Sequence, residues 1–142
     1  YITKYFKKFH KVKSFLDELK EKCEETGHSI TMEGRKRYIS DINSTNRNMK
    51  SFAERMAINS PIQGTAADII KRAMIRADQA LSDNKVKSKL LLQVHDELIF
   101  EVPENEEEKM KGLIREAMEG AYQLDVPLKV DMGVGRNWYD LK

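Results

Sequence analysis

The fold is decided by residues 89–102, which read KLLLQVHDELIFEV. Lys89–Val94 and Leu98–Val102 are short runs rich in Leu, Val, Ile and Phe, a composition typical of strands. Only the polar residues 95–97 separate them, so the two runs are predicted to form a tight antiparallel hairpin with a charged tip. Since helical patterns lie on both sides of this hairpin, we expect an α+β domain in which helices pack on a small, mostly antiparallel sheet.

Helices are predicted directly before and after the hairpin. Apolar residues spaced three and four apart predict a long helical stretch from about Asn48 to Ser82. Within it, Ser60-Pro61-Ile62-Gln63 has the form of a capping box with proline at the first helical position, so a new helix or a kink is expected at Ser60. After the hairpin, the acidic run Glu104–Glu108 opens another helix, because carboxylates complement the positive end of a helix dipole.

The two ends of the chain add further elements. A stripe of apolar residues predicts a helix over Tyr5–Glu25, ended by Thr26-Gly27. His28–Met32 and Tyr38–Ile42 flank a basic, glycine-containing turn and are predicted as a second hairpin. Pro127–Val134 is predicted as a final strand.

The composition is that of a single globular domain. The 142 residues include 25 Lys+Arg and 23 Asp+Glu, and the apolar runs are far shorter than a membrane span, so no membrane partner is expected. Cys23 is the only cysteine, which excludes an intrachain disulfide and favours a reducing, cytoplasmic setting. Because the sequence lacks an initiator Met and a signal peptide, we expect it to begin within a longer protein.

The net charge is distributed unevenly. Residues 1–60 contain 13 basic and 8 acidic side chains, whereas residues 61–142 contain 12 and 15. A basic first half suits contact with phosphates, but a solvated helix surface is the commoner reason for such numbers. Charge alone therefore does not decide between the two.

The tip of the hairpin is the best candidate for a reacting centre. Two stiff strands would hold His95, Asp96 and Glu97 at a fixed point. Turn chemistry alone favours a solvated turn, but no glycine or Asn-Gly signal is present, so these residues do not look chosen for turn formation. If Asp96 binds a metal, its hard oxygen ligand favours Mg²⁺ or Mn²⁺ over zinc. One carboxylate does not make a site, so a second ligand must come from elsewhere.

A polar stripe on the long helix is the second candidate. Arg55, Asn59 and Gln63 are four residues apart and so lie on one helix face. Their donors suit the DNA minor groove, where every base pair offers an N3 or O2 acceptor. The alternative is that Asn59 and Gln63 are cap residues and that Arg55 pairs with a nearby carboxylate such as Glu54 or Asp41.

Four segments together resemble the DNA polymerase I family, the A-family DNA polymerases. The segments are Gly34–Asp41, Arg55–Ile70, Gln93–Glu97 and Gly133–Trp138. They span nearly the whole chain in the order and spacing of the family. The resemblance implies a DNA-directed DNA polymerase that transfers nucleotides to a primer 3′ end in DNA replication and repair.

The resemblance also implies roles for individual residues. Asp96 would be one of two aspartates that hold a pair of catalytic Mg²⁺ ions, with Glu97 as an auxiliary catalytic carboxylate and His95 near the primer end. Arg55, Asn59 and Gln63 would contact the minor groove of the primer-template DNA. The family often has two basic residues shortly before the Arg55 position, and this sequence has Met49 and Lys50 there, which leaves Lys50 as a phosphate contact. The resemblance therefore implies primer-template DNA and deoxynucleoside triphosphates as partners.

The sequence lacks two parts of the family's active site. The motif with the first catalytic aspartate, of the form Asp-Tyr-Ser-Gln-Ile-Glu, and the helix that receives the nucleotide do not occur in it. We therefore expect residues 1–27 to be the tail of the fingers, residues 28–142 to be the carboxyl-terminal part of the palm, and upstream polymerase segments to be missing. The chain alone is expected to be inactive. The rival hypothesis is a DNA-binding module without catalytic activity.

Overall fold

The computed structural model describes residues Tyr1–Leu141, in which helices predominate. The chain forms two compact units, one spanning Tyr1–Asp68 and the other beginning at Ile69. The predicted division into a fingers tail, 1–27, and a palm part, 28–142, stays a prediction, and Lys142 lies outside the described residues.

The first unit begins with two helices rather than the single one predicted. Helix α1 spans Ile2–Lys8 and helix α2 spans His10–Thr26. Phe9 interrupts them because its backbone angles, φ −112° and ψ 59°, are not helical. Gly27 ends α2 in the left-handed conformation, at φ 72°, which glycine adopts without steric cost.

A short antiparallel ribbon follows these helices. Strand β1, His28–Ile30, pairs with strand β2, Lys36–Tyr38. The predicted second strand over Tyr38–Ile42 is wrong, because Ser40–Asn43 forms a 3₁₀ helix. Burial of Ile39 and Ile42, three residues apart, fits the period of that helix and not the alternation of a strand.

Helix α3 runs without interruption from Arg47 to Asp83. Of the two alternatives predicted at Ser60, the new helix is therefore wrong and the kink stays a prediction. Pro61 lies inside it and cannot donate the backbone hydrogen bond that the carbonyl oxygen of Ala57 would accept. The Ser29 hydroxyl of β1 donates to that carbonyl instead, at 3.2 Å. The Ser60 hydroxyl is buried and bonds to nothing within residues 1–141, so it does not act as a cap.

The second unit consists of the end of α3, a hairpin and one more helix. Strands β3, Lys89–Val94, and β4, Glu97–Glu101, pair antiparallel as predicted. A 3₁₀ turn then leads into helix α4, Glu107–Glu119, whose acidic start was also predicted. The core of this unit joins α3 to α4 and consists of Ala77, Leu81, Met110, Ile114 and Ala117.

Residues 127–135 form no strand, contrary to the prediction. A strand requires a neighbouring strand to accept and donate its backbone hydrogen bonds. The backbone N–H of Val130 donates instead to the Glu119 side chain, at 3.1 Å. The α+β class is confirmed, but in residues 1–141 the strands form two separate two-stranded ribbons rather than one sheet.

Candidate functional site

The tip of the β3–β4 hairpin is a two-residue turn. Val94 pairs with Glu97, so His95 and Asp96 alone make the connection. His95 has φ 54°, the positive value that the primed hairpin turns require, and a residue other than glycine adopts it at a cost. The Gln93 side-chain amide donates to the His95 carbonyl oxygen and so holds the turn from one side.

The turn presents its ionisable side chains to solvent. His95, Asp96 and Glu97 are all exposed. Among the described residues no three His, Cys, Asp or Glu side chains are close enough to hold a metal ion. The carboxylates of Asp96 and Glu97 have the oxygen chemistry that Mg²⁺ prefers, but ligands from outside this chain would have to complete such a site.

The base of the same hairpin is fixed by the Glu106 carboxylate. It accepts hydrogen bonds from the backbone N–H groups of Lys87 and Ser88, at 2.9–3.0 Å, and from the Ser88 hydroxyl at 2.7 Å. These donors stabilise the ionised form, and the bond from Lys87 contributes most to holding the pKa of Glu106 below its ordinary value. Glu106 therefore ties the start of β3 to the segment that follows β4.

The polar stripe predicted on the long helix lies on α3 in the first unit. Arg55, Asn59 and Gln63 are all exposed, as an intermolecular contact requires. Arg55 donates to the Ser51 hydroxyl at 3.1 Å, and its guanidinium lies 5.8 Å from the centre of the Phe52 ring. These contacts hold Arg55 on the helix surface.

Lys50, predicted to contact phosphate, already has a partner within the chain. Its Nζ lies 2.9 Å from a Glu24 carboxylate oxygen, and this pair raises the pKa of Lys50. Because both side chains are substantially exposed, the ion pair is weak and can exchange for another anion.

A group of residues that the sequence did not single out connects the β1–β2 ribbon to α3. Arg35 Nε donates to Asp68 Oδ1 at 2.9 Å, and Thr31 Oγ1 donates to Asp68 Oδ2 at 2.7 Å. Arg35 Nη2 also donates to the carbonyl oxygen of Gly64, at 2.9 Å. The available signal was Gly64 itself, because a glycine inside a helical pattern costs helix stability and so points to a packing reason.

Comparison with known proteins identifies the family of this chain. The profile of DNA polymerase family A matches residues 1–140. The chain is 50% identical over 142 residues to DNA polymerase I of Caldicellulosiruptor bescii and 49% identical over 142 residues to DNA polymerase I of Bacillus subtilis. Each alignment covers 100% of this chain, and 17% and 16% of the respective relative.

A solved structure agrees with these sequence matches. It is the POL domain of Pol1 from M. smegmatis in complex with DNA primer-template and dNTP, with a TM-score of 0.96 and 47% sequence identity. The match covers 99% of this chain and 25% of that one. The chain belongs to DNA polymerase family A, which confirms the resemblance found in the sequence. It spans about one sixth of the length of the DNA polymerase I relatives that it matches.

No helix among the described residues has both the length and the apolar character needed to cross a membrane.

Proposed function

We propose that this chain is a part of a DNA-directed DNA polymerase and that it contributes one half of the catalytic centre and the minor-groove contacts to the primer end. The observation that supports this most strongly is the match of the family A profile to residues 1–140. The similar POL domain from M. smegmatis is in complex with DNA primer-template and dNTP. These molecules are therefore the proposed partners of the parent protein.

Asp96 is the proposed metal ligand, and Glu97 is the proposed auxiliary catalytic carboxylate. Both are exposed at the end of a hairpin whose turn is held by Gln93 and whose base is held by Glu106. Such a support keeps a ligand in place before the metal binds, which lowers the cost of assembling the site. When bound, Mg²⁺ supplies charge stabilisation for the attacking 3′-hydroxyl and the departing pyrophosphate.

Arg55, Asn59 and Gln63 are the proposed minor-groove contacts, with His95 near the primer end and Lys50 at a phosphate. The three helix residues offer donors on one exposed face of α3. Because correct pairs of all four kinds place acceptors at equivalent positions, such contacts respond to pairing geometry and not to sequence. A mismatch displaces the acceptors and breaks the hydrogen bonds.

An uncovered apolar face supports the proposal that the chain acts within a larger protein. Along α1 and α2 the following large apolar side chains are exposed: Tyr1, Ile2, Tyr5, Phe9, Val12 and Phe15. Exposed apolar side chains in such number over two short helices are typical of a surface that packs against other protein. We expect the 142-residue chain by itself to extend no primer with any divalent metal. Extension by the chain, purified free of other polymerases, would contradict this part of the proposal.

The minor-groove role is tested by primer extension with the full-length polymerase that contains this chain. Gln63→Ala should slow extension from a matched primer end. The loss of transition-state stabilisation should be about 1–3 kcal/mol, the typical value of one lost hydrogen bond to a polar group. It should cost less at a mismatched end, where the contact is already broken.

The matched control is Gln79→Ala, which changes the same residue type elsewhere on α3. Rates are measured for several matched and mismatched termini of different sequence. Equal losses at matched and mismatched ends would contradict a sensor of pairing, and losses that follow one particular base would indicate direct sequence readout.

A further inference from the structure

We infer that Arg35 is a positioning residue for Gln63: it fixes the turn of α3 that contains Gln63 against the β1–β2 ribbon. Arg35 would therefore influence how the primer end is read without touching DNA. This inference rests on the minor-groove role proposed above.

The guanidinium of Arg35 holds two points of α3 at once. Nε donates to the Asp68 carboxylate and Nη2 donates to the carbonyl oxygen of Gly64, each at 2.9 Å. Gly64 directly follows Gln63, so the second bond fixes a carbonyl group on the same turn of α3 as Gln63. A planar guanidinium can make both bonds from one position, whereas an ammonium group cannot reproduce this geometry.

Other hydrogen bonds connect the ribbon to the same part of the helix. Thr31 donates to Asp68, and the backbone N–H of Met32 donates to the Thr65 hydroxyl at 3.1 Å. On the other side of Gln63, the Ser29 hydroxyl donates to the Ala57 carbonyl that Pro61 leaves without a helical donor. The ribbon is therefore hydrogen-bonded to α3 on both sides of Gln63 in the sequence.

The backbone of the helix lies very close to the ribbon at this point. A Cβ atom built on Gly64 would lie 2.6 Å from Thr31 Cγ2 and 3.3 Å from Arg35 Nη2. With so little space between them, a displacement of the ribbon is transmitted to the helix turn. Small errors in the placement of a contact that orients the reacting end reduce the rate strongly.

The test uses the full-length polymerase with Arg35→Lys. This variant keeps the positive charge but cannot bond to Asp68 and to the Gly64 carbonyl at the same time. We expect extension from a matched end to fall by about tenfold, the factor that corresponds to one typical hydrogen bond. Extension from a mismatched end should fall by less. The control is Lys36→Ala, which removes a charge from the next ribbon residue, an exposed side chain, and should change both rates by less than about twofold.

The decisive comparison is a double-mutant cycle with Gln63→Ala. If Arg35 acts through Gln63, Arg35→Lys should cost less than about twofold once Gln63 is absent. An undiminished cost in that background would overturn this inference and leave the minor-groove role standing. Gln63→Ala without effect at matched ends would overturn the minor-groove role and this inference together.

A second variant guards against loss of the fold. If the Arg35→Lys protein is unfolded at the assay temperature, Thr31→Val is measured in the same cycle. It removes the hydroxyl that donates to Asp68 and accepts from the backbone N–H of Arg35, while keeping the shape of the side chain. The same coupling to Gln63→Ala is expected, and independent costs would overturn the inference.

Discussion

Replacing Gly64 with Ala should weaken the packing of the β1–β2 ribbon on α3. The added methyl group would lie 2.6 Å from Thr31 Cγ2, well inside contact distance. Thr31 cannot easily rotate away, because its side chain is β-branched and its hydroxyl donates to Asp68 at 2.7 Å. The clash must therefore be relieved by moving the ribbon or by breaking that hydrogen bond.

Two opposing effects set the magnitude. Overpacking of this kind costs about 1–3 kcal/mol of unfolding free energy. Alanine in place of glycine inside a helix returns about 0.5–1 kcal/mol. Gly112→Ala supplies the second effect without the first, because Gly112 lies inside α4 and has nothing within 4 Å of its added Cβ. The two variants should thus differ by about 1–3 kcal/mol, with Gly64→Ala the less stable.

The assay is chemical unfolding of the two variants, combined with amide hydrogen exchange of residues 28–38. Gly64→Ala should speed exchange in the ribbon, whereas Gly112→Ala should leave it unchanged. Thr31→Ser removes the clashing methyl group but keeps the hydroxyl, so adding it to Gly64→Ala should restore protection. Equal stability of the two glycine variants, or no rescue by Thr31→Ser, would contradict a clash between residue 64 and Thr31.

Two further predictions concern the β3–β4 hairpin. The folded-state pKa of Glu106 lies below its ordinary value of 4.5, so its ionised carboxylate stabilises the fold above pH 4.5, and this stabilisation is lost as the pH falls through the lower folded-state pKa. Glu106→Gln should therefore lower the melting temperature at pH 7 and have progressively less effect in acid. A difference in melting temperature that stays constant with pH would contradict this. His95→Gly should stabilise the hairpin by about 1 kcal/mol, since glycine adopts φ 54° without strain, whereas His95→Ala should not; equal melting temperatures for the two variants would argue against strain at this turn.

Much of the fold could be predicted because local patterns decide it. The apolar strands of residues 89–102 and the acidic start of α4 are where the sequence places them. The predictions were wrong where one local sequence signal is compatible with two different structures. Proline after Ser60 signals a helix start, but a hydroxyl from a distant strand satisfies the carbonyl at Ala57 and the helix continues.

The candidate residues were visible in the sequence, but their supports were not. Asp96 and Gln63 belong to motifs that a reader can recognise. The bonds from Arg35 to Asp68 and Gly64 join residues about thirty positions apart, and no periodicity predicts such pairs. The same holds for Glu106, which reaches back to Lys87 and Ser88. Long-range contacts of this kind follow only from the folded chain.

The most direct test of the proposed function is single-turnover primer extension by the full-length polymerase with Asp96→Asn, with primer-template affinity measured in parallel. The control is Glu101→Gln, which changes an exposed carboxylate at the other end of the same hairpin. We predict that Asp96→Asn abolishes extension and leaves DNA affinity nearly unchanged, because it removes a metal ligand and no phosphate contact, while Glu101→Gln remains active. Near-normal turnover by Asp96→Asn would contradict the assignment of this hairpin tip to the catalytic centre.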